Sequence, residues 1–173
     1  MNKVSKFEKV SFEQYYEDIK PLLPDDWTDE EIKQSWKEIE LPVRATSGSA
    51  GYDFKAPVGF TLFPGASVVV PTGIRVRIDD GWMLMCTPRS GLGFKYGMAL
   101  ANTVGIIDAD YYYSDNEGHI MLKVCAKDKV EIEYGQKFAQ GIFVPFGITT
   151  DDNITTERNG GLGSTDEVSV SEQ

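Results

Sequence analysis

The stretch FTLFPGASVVVPTGIRVRIDDGWMLMCTP, residues 60–88, decides the fold. Short β-branched and aromatic runs alternate with the turn dipeptides Pro64-Gly65 and Asp80-Gly81, which read as strands joined by tight turns. Within it, IRVRI alternates as a half-exposed strand does, so Ile74, Val76 and Ile78 should face inward. The same texture begins near Leu41 and recurs in HIMLKVCA, KVEIEYG and FAQGIFVPF, as far as Phe146. Many short strands at this spacing predict an all-β sandwich or barrel over residues 41–148.

The flanks have a different character. Residues 1–40 carry two capping-box patterns, Ser11 to Gln14 and Thr28 to Glu31. Ile32, Trp36 and Ile39 fall at helical spacing, Ile19, Leu22 and Leu23 form an apolar patch, and Pro21 and Pro24 punctuate between them. Two short helices are expected, at 11–20 and 28–39. They form an extension that packs on the core or a neighbouring subunit, or serves a separate partner. From Thr149 to Gln173 the chain is polar and glycine-rich with nothing to bury, which predicts a flexible arm.

Length and charge narrow the function. The 173 residues suit one domain, and a net charge of −10 argues against a general nucleic-acid coat or an anionic membrane as partner. No apolar run reaches the ~18 residues of a spanning helix, and the N-terminal stretch lacks the apolar core of a secretory signal. Cys86 and Cys125 sit in strand-like apolar runs and read as reduced, buried thiols, with the cytoplasm as the default address. His119 is the single histidine, so a histidine-rich metal site is excluded, and its loop-edge position does not suit a Ser-His-Asp relay. No Walker-type loop is present, and GLGFKYG lacks the glycine spacing of a dinucleotide fingerprint. Catalysis would have to rest on carboxylates, backbone amides, Arg and Lys, with or without a bound metal.

Three segments concentrate such groups. In PRSGLGFKYGM (88–98), Arg89, the Ser90 hydroxyl and the amides of Ser90 and Gly91 converge after a strand, as an anion cradle or as a plain turn bearing a surface arginine. In RNGGLGST (158–165), Gly160, Gly161 and Gly163 free the backbone to wrap an anion, with Arg158, Ser164 and Thr165 as donors. Taken in isolation, the composition favours a disordered linker over an anion-wrapping arm. In GIIDADY (105–111), Asp108 follows Ile106 and Ile107 and should be dry, which suits a general base on water. Asp110 shares its strand face, and either aspartate could instead cap a turn.

Taken together, LPVRATSGSAGYDFKA (41–56), PRSGLGFKYGM, NTVGIIDADY (102–111), GQKFAQGIFVP (135–145) and RNGGLGST resemble, in kind and order, the motifs of the trimeric deoxyuridine triphosphate nucleotidohydrolases, the dUTPases. The resemblance spans about residues 41–166. It implies a jelly-roll-like β-barrel and a homotrimer whose active sites are each shared between three chains. The implied reaction is hydrolysis of dUTP to dUMP and pyrophosphate with Mg2+, which limits uracil in DNA and supplies dUMP for thymidylate synthesis. Asp108 would activate the water that attacks the α-phosphorus. Asn102, the main chain of Ile106 and Ile107, and Gly118 with Met121 would contact uracil, and the Tyr111 ring would pack on the deoxyribose and exclude a 2′-hydroxyl. Arg89, Ser90 and Gly91, joined by Gln140, would bind phosphate from a neighbouring subunit. The arm with Arg158, Gly160, Gly161, Leu162, Gly163 and Ser164 would close over the nucleotide from the third chain. Mg2+ would be held by the triphosphate without direct protein ligands, with Asp53 supporting its water shell or the phosphate motif.

The sequence departs from the family pattern at four places. Lys137 stands where arginine is common, which weakens a bidentate role. Leu162 replaces a phenylalanine that stacks on uracil, a loss of about 1 kcal/mol by aromatic-pair standards. The arm is slightly shorter and carries Asp166 in place of a glycine, and the Tyr112–Glu117 hairpin tip is longer, an exposed β-turn extension by its composition. These features would also suit a regulatory, protein-binding use of the same fold. A dCTP deaminase, the other enzyme branch of this fold, is disfavoured by the form of IIDADY and PRSGLG.

Overall fold

The computed structural model describes residues 2–156. Among them are the strands β1 (Ser5–Lys9), β2 (Val43–Arg44), β3 (Tyr52–Lys55), β4 (Phe60–Leu62), β5 (Ser67–Pro71), β6 (Ile74–Ile78) and β7 (Trp82–Pro88). They continue as β8 (Ala99–Leu100), β9 (Gly105–Ile107), β10 (Met121–Cys125), β11 (Val130–Ile132) and β12 (Lys137–Pro145). Three α-helices accompany them: α1 (Phe12–Ile19), α2 (Asp29–Glu38) and α3 (Ser90–Tyr96). Every strand pairing is antiparallel. The largest sheet runs β2-β3-β12-β7-β9, faced by β5-β10-β8 and the two-stranded pairs β4-β11 and β1-β6. This is the all-β class that the strand texture predicts, jelly-roll-like as the resemblance implies, with a short N-terminal helical part.

Alternation explains the core. In β6, Ile74, Val76 and Ile78 are buried, and Arg75 and Arg77 point the other way. Leu62, Leu84, Cys86, Ile120, Val124 and Phe138 are fully sequestered between the sheets. Burial pushes the Cys86 thiol up to about 12, which leaves it protonated and unreactive. Cys125 is half-buried rather than buried, and neither cysteine is in a disulfide.

The N-terminal helices bury a second apolar cluster, Val10, Tyr15, Ile19 and Ile32, joined by Trp36, Leu23 and Val58. Ile39 packs against both clusters and ties the helices to the barrel. Leu22, expected in the apolar patch, is about half exposed, because the chain turns through a 3-10 segment at Lys20–Leu22 that carries Pro21. Thr28 and Glu31 form the reciprocal capping box that their spacing predicts. At α1 the box is one-sided. Ser11 Oγ accepts from Gln14 N, but the Gln14 side chain donates to Asp18 and the Ser11 amide donates to Glu117 Oε2 at 2.8 Å. Strand β1, which pairs with β6 from Ser5↔Ile78 to Lys9↔Ile74, is not among the sequence expectations. Its charged SKFEK sequence hides the one inward residue, Phe7, whose ring meets Phe54 edge-on.

Ile32 has no exposed surface, so Ile32→Ala should lower the unfolding free energy by about 3 kcal/mol through lost burial and a residual cavity. Urea denaturation checks this, and a loss below about 1 kcal/mol would show that the helical cluster does not contribute to the cooperative core.

Candidate active site

Strand β9 is fastened to the main sheet by pairing with β7, from Leu84↔Ile107 to Cys86↔Gly105. That register places Ile106 and Ile107 on a cleft lined also by Met121 and Leu122 of β10 and by Asn102. The cleft encloses about 400 Å³. Asn102 is presented by a tight turn in which Thr103 has φ 71°, a conformation a β-branched residue rarely adopts. The Thr103 amide donates to Leu100 O and the Val104 amide to Asn102 O, at 2.9 and 2.8 Å. Four of the residues expected to contact a base therefore share one cleft.

Beyond Ile107 the strand ends, which corrects the expectation for the two aspartates. Asp108 is extended, with φ −79° and ψ 159°, and stands at the start of a 3-10 turn, Ala109–Tyr113. Asp110 is exposed inside that turn, so the pair does not share a strand face. The Asp108 side chain makes no capping bond, and it is half-buried rather than dry. Tyr111 is buried, its hydroxyl donating to His119 O at 3.0 Å and accepting from Asn116 Nδ2 at 2.9 Å. Gly118 has φ +69°, and a Cβ there would lie 2.6 Å from Tyr111 O, so the return of the chain requires glycine. Tyr111 and Gly118 lie next to each other in this turn, not on the wall of the cleft.

The surplus residues Tyr112–Glu117 are not an exposed β-turn tip. They fold as successive tight turns against β1, β6 and the start of α1. Tyr112 Oη donates to Glu8 Oε2 at 2.7 Å, and the Arg75 guanidinium lies 3.7 Å over the Tyr112 ring while donating to its carbonyl. Ser114 is buried, and Glu117, at φ 57°, takes the Ser11 amide. Composition misleads here because these residues are polar or aromatic, and their partners come from the N-terminal segment and β6.

A second constellation gathers at one end of the β3-β12-β7 pairing. Asp53 is almost fully buried and pairs with Arg89 Nη1, while Lys137 Nζ stands 2.8 Å from Asp53 Oδ2. Both carboxylate oxygens of Asp53 are thus ion-paired, Oδ1 with Arg89 and Oδ2 with Lys137. Gln140 sits opposite Asp53 in the β12–β3 register. Its side chain covers Gly51, where a Cβ would come within 2.6 Å of Oε1. Strand β7 runs into α3, with Ser90 and Gly91 exposed at its first turn, which is the strand-to-helix turn PRSGLG predicts. A carboxylate this deep holds two cationic side chains at fixed positions, and that preorganises positive charge for an anion. Lys137 belongs to this cluster, a role the sequence reading missed by treating it as a weakened arginine. None of Asp53, Arg89, Ser90, Gly91 or Gln140 lines the cleft. Arg158, Gly160, Gly161, Leu162, Gly163 and Ser164 lie outside the described residues.

Comparison with known proteins matches this geometry to one family. The dUTPase family model covers residues 37–166. Deoxyuridine 5'-triphosphate nucleotidohydrolase of Lactococcus lactis subsp. lactis (strain IL1403) is 39% identical over 132 residues, which span 73% of this chain and 88% of that protein. The enzyme of the same name from Shigella sonnei (strain Ss046) is 42% identical over 137 residues, 73% of this chain and 87% of that one. Among solved structures, dUTPase from Streptococcus mutans is 34% identical and superimposes with a TM-score of 0.60 over 83% of this chain and 97% of its own. A mutant dUTPase from phage phi11 of S. aureus, described with a structural Mg(II) ion, shares the fold at 21% identity and a TM-score of 0.57, over 68% and 90% of the two chains. With its motifs, its barrel and these relatives in agreement, the chain belongs to the dUTPase family.

Proposed function

We propose that this protein hydrolyses dUTP to dUMP and pyrophosphate. The observation that carries the reading is the position of Asp108, directly beyond the two isoleucines that wall the cleft. A nucleobase in the cleft meets the Asn102 side chain and the main chain of Ile106 and Ile107, with Met121 on the return strand. Fixed backbone donors and acceptors favour the uracil edge and leave cytosine with unpaired polar groups, which discriminates strongly. Tyr111 is not on the cleft wall but buried in the turn just beyond Asp108, so in this reading its ring meets the deoxyribose where the nucleotide leaves the cleft and leaves no room there for a 2′-hydroxyl.

In the chemical step Asp108 accepts a proton from water, the water oxygen bonds to the α-phosphorus, and the bond to the β-phosphate oxygen breaks to release pyrophosphate. Arg89, positioned by Asp53, meets charge on the triphosphate together with Ser90, Gly91 and Gln140. Because these groups do not line the cleft, a homotrimer in which a neighbouring chain supplies them fits the reading. Arg158 to Ser164, with Leu162 over the base, then close the site from a third chain. Among the described residues no three His, Cys, Asp or Glu side chains gather to hold a metal. A Mg2+ held by the triphosphate would neutralise charge on the phosphates, and Asp53, buried and paired with Arg89 and Lys137, would support it through those cations unless the Lys137 contact opened to a water of its shell. No helix among the described residues is long and apolar enough to cross a membrane, and two free thiols suit a cytoplasmic enzyme.

Pyrophosphate release from dUTP in the presence of Mg2+, with no ammonia from dCTP, tests the assignment. The reverse pattern would point to a deaminase. Asp108→Asn should lower kcat by about a thousandfold while a non-hydrolysable dUTP analogue still binds; near-wild-type turnover would remove Asp108 from the mechanism. Asp53→Asn should lower kcat/KM for dUTP by about a hundredfold, because Arg89 loses its anchor. Unchanged kinetics in that variant would place the Asp53 cluster outside the phosphate site.

A further inference from the structure

The family match begins at residue 37, yet the segment before it grips the run of turns between β9 and β10 that carries Asp108 and Tyr111. Three contacts do so, each spanning about a hundred residues of chain. Glu8 accepts from Tyr112 Oη at 2.7 Å, the Ser11 amide donates to Glu117 Oε2 at 2.8 Å, and Asp18 Oδ2 lies 2.6 Å from His119 Nδ1. His119 is completely buried. The Gly73 amide donates to its Nε2 at 2.7 Å, so the ring is neutral at that nitrogen and its proton sits on Nδ1, facing Asp18. Burial raises the proton affinity of Asp18, but the hydrogen bonds from His119 and Gln14 outweigh it and hold the carboxyl below its usual range. The carbonyl of the same His119 receives the Tyr111 hydroxyl.

We propose that His119 and Asp18 are positioning residues for Tyr111, and that the N-terminal segment braces the turns between β9 and β10 for recognition of the 2′-deoxyribose. Asp18 fixes the imidazole, the imidazole fixes the backbone position of residue 119, and the carbonyl there orients the phenol. The inference rests on the reading of Tyr111 as the group that excludes a 2′-hydroxyl.

The test compares hydrolysis of dUTP and UTP by the full-length enzyme and its variants. Asp18→Ala should raise KM for dUTP about tenfold, leave kcat within about twofold, and narrow the dUTP-over-UTP preference about tenfold. Asp18→Asn keeps an acceptor for Nδ1–H and should restore the preference. A purely structural role would lower the melting temperature without moving that preference. If Asp18→Ala does not fold, Glu117→Gly serves instead: it deletes the contact to the Ser11 amide while easing the positive φ, and should narrow the preference in the same direction. An unchanged preference in the folded variant overturns the brace while leaving the dUTPase reading intact. A wild-type enzyme that cleaves UTP as readily as dUTP would overturn the sugar-gate reading, and the brace with it.

Discussion

Strand β7 is the constraint on which both halves of the site depend. It pairs with β12 without interruption from Trp82↔Pro145 to Pro88↔Ala139, and with β9 on its other edge. Leu84 and Cys86 turn into the core and are fully buried, so a slip by one residue would expose them and bury the opposite face. With the register locked, the end of β7 delivers Arg89 to Asp53, and its other edge holds the cleft wall of β9. One strand thus fixes both the Asp53–Arg89 cluster and the β9 wall of the cleft within the chain, whichever site each one serves.

The polar interior at Asp53 shows how the fold preserves charge without water. A carboxylate that deep is costly alone and becomes tolerable beside Arg89 and Lys137. The cations are half-exposed, which leaves them able to face a ligand. Lysine in place of arginine matters less in this arrangement than its chemistry suggests, because Lys137 meets Asp53 as a point charge rather than as a fork.

Much of the barrel was legible because alternation has a period of two that survives any tertiary context, as Ile74, Val76 and Ile78 show. The residues expected to contact a base were legible as a motif, and the structure puts four of them, Asn102, Ile106, Ile107 and Met121, around one cleft. Other features depend on partners distant in sequence. Strand β1 escapes notice because SKFEK buries a single residue. The packed tip Tyr112–Glu117 reads as an exposed turn because Glu8, Ser11 and Arg75 are far away in the chain. The capping box at Ser11 fails for the same reason: Glu117 competes for the amide that Gln14 would have taken. The His119 environment depends on Gly73 and Asp18, and no local pattern joins the three.

The span of those contacts also orders the events of folding. Ser11 leaves the ribosome 106 residues before Glu117, and Asp18 leaves 101 before His119. Closing loops of that size is entropically costly, and contacts of high sequence separation form late. The Ser11 amide therefore cannot find its partner, nor Tyr15 its contact with the His119 ring, until the turns between β9 and β10 have emerged. In a growing chain the N-terminal segment waits for the turns it contacts, so these contacts form among the last steps of folding.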